Sequence, residues 1–210
     1  MYRILIALVG LVLAAASTAA PIAPVSYDMI NGNGRASGGS FNYWDRQYDG
    51  LVSTTTDGAF LSGGTGDLTD GVIATQNWFQ VENTAGTGPY VGWLQVNPTI
   101  TFNFDPGTSI NAISLHLDDS NGAGGVAPPI SVRIEAAGYD ETFQVADPPS
   151  GAPFSVTYDN LSLTGPVDIT LTRQNAWIFL SEVEFDGTVP APAPMVVAAL
   201  ALLALRRRVR

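Results

Sequence analysis

Thr99-Ile100-Thr101-Phe102-Asn103-Phe104 sets apolar residues at every second position, and Val167-Asp168-Ile169-Thr170-Leu171 repeats the pattern late in the chain. Alternate side chains of a strand point to opposite faces, so both segments read as antiparallel strands with one buried and one wet face. Working outward, similar short runs lie at 41–44, 78–81, 112–117, 130–135, 141–145, 154–158 and 177–185. Gly, Pro, Asn and Asp clusters separate them, and no amphipathic helix of useful length intervenes. The pattern predicts an all-β fold, an antiparallel β-sandwich or jelly roll. Glycine-rich stretches at 31–40, 57–71, 83–92 and 120–129 read as long loops, which in a compact domain are either functional or loosely ordered.

The ends differ in composition from the middle. Arg3 precedes an apolar run at 4–16 and small residues at Ser17, Ala19 and Ala20, the layout of a signal peptide over 1–19; an uncleaved anchor is the alternative. At the other end Val189-Pro190-Ala191-Pro192-Ala193-Pro194 leads into an apolar run at 195–205 and then Arg206, Arg207, Arg208 and Arg210. As a helix that run rises about 16 Å, roughly half a hydrocarbon core. It is a poor permanent span, and the arginines would hold it on the cytoplasmic side. This tail resembles the PEP-CTERM sorting signal, with Val-Pro-Ala-Pro where the family usually has Val-Pro-Glu-Pro. The resemblance implies an exosortase-type processing enzyme as partner, a C-terminal segment in the membrane before processing, and an exported protein of the cell envelope or extracellular space. A plain tail anchor is the alternative. One β-sandwich domain over 20–188 remains, followed by the sorting segment at 189–210.

Between the ends, four arginines face all 19 acidic residues, a formal charge of −15. Such a surface repels nucleic acid and anionic headgroups and favours neutral partners or divalent cations. The chain has no cysteine and no lysine, which removes disulfides, thiolate metal sites, Schiff-base chemistry and Walker-type phosphate loops.

Asp67-Leu68-Thr69-Asp70-Gly71 precedes Trp78, and Trp177-Ile178-Phe179-Leu180-Ser181-Glu182-Val183-Glu184-Phe185 comes much later. Together they resemble the galactose-binding-like jelly rolls, which include discoidin-type domains and many bacterial carbohydrate-binding modules. That resemblance implies a structural Ca2+ held by Asp70 and Glu182, with Thr75 adding an oxygen; a hard cation takes several such oxygens. Alternatively, Asp70 opens an Asp-Gly turn and Glu182 is a solvated strand residue. Asp118-Asp119-Ser120-Asn121-Gly122 begins like a calcium loop but lacks the spaced glutamate, so it reads first as a strand-to-loop exit, with Asp118 and Asp119 as alternate ligands.

Tyr43 and Trp44 near the start, and Tyr90 and Trp93 in a glycine-rich stretch, are candidate platforms for stacking sugar rings. Trp78 and Trp177 read as core. His116 is the only histidine. It cannot build a multi-histidine metal site, no Gly-x-Ser-x-Gly elbow accompanies it, and it reads as a sheet-surface residue. The sequence thus points to a non-catalytic exported module that binds a glycan or associates with exopolysaccharide. A structural envelope or biofilm protein without a small-ligand site is the second reading.

Overall fold

A computed structural model describes residues 20–34 and 40–190. The signal-peptide segment and the sorting segment beyond Pro190 therefore lie outside the described residues. No helix among those described is long and apolar enough to cross a membrane.

Two six-stranded antiparallel sheets form a β-sandwich. In the first, β12 (Trp177–Thr188) pairs with β1 (Ala20–Ile22), β4 (Val91–Leu94) and β6 (Ser109–Leu117), while β6 also pairs with β9 (Phe154–Tyr158) and β10 (Leu163–Thr164). The second runs β3 (Phe60–Gly64), β2 (Ser26–Ile30), β5 (Thr99–Asn103), β11 (Val167–Arg173), β7 (Pro129–Ala136) and β8 (Tyr139–Gln144). The alternation read at 99–104 and 167–171 is realised: Ile100, Phe102, Val167, Ile169 and Leu171 are fully buried, with Phe102 opposite Val167 and Ile100 opposite Ile169. They meet Ile113, Leu115, Val183 and Phe185 of the other sheet in the main core.

Two of the predicted strands are not strands. Residues 41–44 have irregular backbone with a single bridge. Residues 78–81 form one helical turn, α1 (Trp78–Val81), although aromatic and β-branched side chains favour strands. The turn is imposed from outside: the Asp118 carboxylate accepts the Trp78 N–H at 2.9 Å, satisfying an amide that a helix start leaves open. Conversely, β3 lies within one stretch read as a loop and β4 begins in another. In β4 the glycine is required, because a Cβ on Gly92 would stand 2.2 Å from the Phe179 ring.

A second apolar cluster of Tyr43, Trp78, Tyr90, Val126, Trp177 and Phe179 closes the sandwich where β12 begins. Trp78 and Trp177 are thus core residues. Loops 118–128, 145–153 and 174–176 gather at this pole. The described chain ends lie at the opposite one, where Ala20 pairs with Gly187.

Candidate functional site

The aromatic platform expected from the sequence is not on the surface. Trp93 is 0% exposed and donates its indole N–H to the Ile30 carbonyl at 2.8 Å. Tyr90 and Tyr43 are buried as well; the Tyr90 hydroxyl donates to the Gln76 carbonyl at 3.0 Å, and the Tyr43 ring lies 4.5 Å from that of Phe179. Trp44 is half-buried, with its indole N–H on Asp57 at 2.7 Å and its ring against Gly34 and Gly86. Glycine-rich surroundings suggested an open loop, but here they let backbone pack flat on rings.

The loop pole instead carries a polar cleft of about 340 Å3 lined by Asn121, Gly122, Ala127, Asp147, Gln174 and Asn175. Its walls are built by Asp119, which is fully buried and accepts the Asn121 N–H at 3.0 Å and the Gly151 N–H at 3.2 Å. One carboxylate therefore ties loop 118–128 to loop 145–153. Asn121 (φ 47) and Gly122 (φ 80) turn the chain left-handed at the rim. From the third loop Gln174 donates to Asp147 at 3.3 Å, and Asn175 accepts the Ala176 N–H at 2.8 Å. Amides and a carboxylate offer both donors and acceptors, the complement of a sugar hydroxyl. Phe79, 50% exposed, stands edge-on to Trp78 at 5.6 Å, and Trp78 packs on Gly124 of the same loop. Asn, Asp and Gln in loops carry no signal in sequence, because the same residues make ordinary turns.

Asp118 and Asp119 are not solvated at a loop exit. Both are 0% exposed. Asp118 accepts from Asn77 and Ser120 at 3.0 Å each, besides the Trp78 N–H, and burial pushes its carboxyl up to about 6. With all four carboxylate oxygens of the pair engaged by N–H and O–H donors, they act as a latch between loops, and the alternate calcium reading of this pair loses its ligands.

Asp70 and Glu182 do come together. They line one cavity of about 380 Å3 with Thr69, Gly71 and residues 21–24, and Glu182 accepts the Gly71 N–H at 3.1 Å. Gly71 has φ 81, which the Asp-Gly turn requires. Burial, with the nearby Asp70 charge, pushes the Glu182 carboxyl up to about 7. The Thr69 hydroxyl oxygen is buried in this wall with no hydrogen-bond partner. Two carboxylates and an orphaned oxygen fit a hard cation completed by backbone carbonyls, although no cluster of three His, Cys, Asp or Glu occurs among the described residues. Thr75 does not belong to this wall: it lines a separate cavity with His116. Thr69, not Thr75, lines the cavity with Asp70 and Glu182.

His116 projects from the outer face of its sheet, as expected, yet it is only 8% exposed. Ser155 and Glu184 flank its ring at 2.8 and 2.7 Å.

Residues 24–124 match the family model of the discoidin domain-containing receptor 1/2 DS-like domain. No curated protein matches the chain in sequence. Among solved structures, an F5/8 type C domain from Bacteroides fragilis is similar at 9% identity and TM-score 0.43, covering 80% of this chain and 95% of that one. The family 32 carbohydrate-binding module of C. perfringens NanJ, in complex with galactose, is similar at 11% identity and TM-score 0.31, covering 46% and 75%. A truncated AlyQ with family 32 module and alginate lyase domains is similar at 14% identity and TM-score 0.36; 60% of this chain is covered, and the chain spans 30% of that structure. The family-model match, joined to two antiparallel sheets, supports a galactose-binding-like jelly roll.

Proposed function

We propose that this protein is an exported glycan-binding module that holds a neutral polysaccharide at its loop pole. One observation carries the reading: the cleft lined by Asn121, Asp147, Gln174 and Asn175, of a size to take a sugar ring. Uncharged amides recognise hydroxyls without needing a charged ligand, which suits a domain of formal charge −15. Phe79 is the exposed ring at the same pole, and the discoidin-like match over 24–124 is consistent with sugar recognition. Ca2+ at Asp70, Glu182 and Thr69 would brace the loop that crosses the outer face of β12, as structure rather than as a contact to sugar. Sorting by an exosortase-type enzyme through 189–210 would deliver the module to the cell surface or matrix.

Affinity electrophoresis of residues 20–190 in gels cast with neutral polysaccharides tests the reading. Retardation by at least one glycan is expected, with about tenfold weaker binding in Asn175→Ala or Gln174→Ala and unchanged binding in Ser155→Ala. Retardation by none, or retardation indifferent to the cleft substitutions, removes the site and leaves a structural envelope or biofilm protein. In parallel, thermal unfolding with Ca2+ against chelator reads the cation. At a hundredfold excess over its dissociation constant the ion adds about 2.7 kcal/mol, and Glu182→Ala should abolish that gain.

A further inference from the structure

On the outer face of the first sheet three side chains from three adjacent strands form a continuous chain of hydrogen bonds. His116 of β6 has Ser155 of β9 as its cross-strand partner. The Ser155 Oγ lies 2.8 Å from Nδ1 of the ring, and a carboxylate oxygen of Glu184 on β12 lies 2.7 Å from Nε2. The carboxylate only accepts, so in the neutral ring the proton sits on Nε2 and points at Glu184. Nδ1 then carries the lone pair and accepts the Ser155 hydroxyl proton. A hydroxyl on an imidazole whose other nitrogen is oriented by a carboxylate is the arrangement that activates a serine.

The relay opens on a space. A cavity of about 240 Å3 is lined by Ile73, Ala74, Thr75, His116, Pro153, Phe154 and Ser155, so Ser155 and His116 both border one hollow of mixed polar and apolar lining. Ser155 itself is exposed, and the loop holding Ile73 to Thr75 is pinned over the sheet by the Ala74 N–H, which donates to Ser181 at 3.2 Å. Glu184 on the same face repels anionic substrates.

We propose that Ser155 is a nucleophile, activated by His116 and positioned through it by Glu184, that takes the acyl group of a small neutral ester seated in this cavity. The Ser155 oxygen bonds to the carbonyl carbon as its proton passes to Nδ1. Breaking the ester C–O bond then releases the alcohol, which takes that proton. Water cleaves the acyl-serine by the same path: it gives a proton to Nδ1, its oxygen bonds to the acyl carbon, and the Ser155 oxygen leaves and is reprotonated. The products are one alcohol and one carboxylic acid, and no co-reactant other than water is consumed. The site lies on a different face from the glycan cleft and stands independently of it.

The test is covalent labelling of the full chain with a fluorophosphonate, read by peptide mass, together with release of p-nitrophenolate from p-nitrophenyl acetate. Labelling of Ser155 at least tenfold faster than of any other serine is expected, with ester turnover lost in Ser155→Ala. His116→Ala should slow labelling at least tenfold. Glu184→Gln should slow it similarly at unchanged melting temperature, because its amide can donate to Nε2 and convert Nδ1 into a donor. Should His116→Ala fail to fold, the Glu184→Gln rate decides. The proposal is overturned if Ser155 is labelled no faster than other serines, or if its rate is the same in the folded His116 or Glu184 variant.

Discussion

At the scale of single residues, four aromatic side chains that read as a sugar platform serve packing instead. Trp93 shows the difference in energy. Its side chain is fully buried between the sheets and its indole N–H is satisfied by Ile30, so Trp93→Ala creates a cavity and orphans a carbonyl. A loss of about 3–5 kcal/mol in urea unfolding is expected, whereas a surface platform residue would change stability by less than about 0.5 kcal/mol. The glycine at 92 explains why the sequence misleads. Tyr90-Val91-Gly92-Trp93 has the composition of a loop, yet the missing Cβ is what lets Phe179 lie on β4. The Asp70–Glu182 pair, by contrast, was legible through its resemblance to a family motif. That Thr69 rather than Thr75 lines their cavity was not, because the two threonines are indistinguishable until the loop between them is folded.

At the scale of elements, α1 is the clearest case of tertiary context overriding local preference. Four residues cannot sustain a helix unaided. Asn77, which would cap the turn in isolation, makes no side-chain cap. Its Nδ2 donates toward Asp118, Ser120 and the carbonyls of Asp119 and Gly151, which turns the side chain toward those loops. The cap comes from Asp118, 40 residues away in sequence. Asp118→Ala should therefore cost about 2–4 kcal/mol, through lost bonds and newly unsatisfied donors. It should also accelerate hydrogen exchange selectively at the Trp78 amide and in loop 118–128, with β5 and β11 protected as before. Uniform acceleration across both sheets would mean that α1 is not a separate cooperative unit.

At the scale of the whole molecule, the acidic chain buries several carboxyls that prefer to stay protonated. Burial pushes Glu82 up to about 8 and Asp118 up to about 6, and burial beside Asp67 raises Asp45. Their folded pKa values exceed the unfolded ones, so the stability they contribute is full below about pH 4 and is lost as pH rises through 6 to 8. A melting temperature higher at pH 5 than at pH 8.5 is expected, by roughly 4–8 °C for about 2 kcal/mol. Asp140, held low by Arg133, is ionised throughout that window and does not oppose the trend. A melting temperature flat or rising with pH would contradict this account. The same molecule places its cleft at one pole and its described chain ends at the other, separated by the length of β12, about 35 Å. A tether at the C-terminal side would thus leave the cleft facing outward. The sequence by itself determined the β-sandwich, the core faces of β5 and β11, and the acidic, lysine-free surface, because a period of two and a charge count are local properties that burial of one sheet face must respect. Only the tertiary structure decided which rings are covered, which distant carboxylate caps α1, that three loops meet in an amide-lined cleft, and that Ser155, His116 and Glu184 touch, because each depends on strand register between segments far apart in the chain.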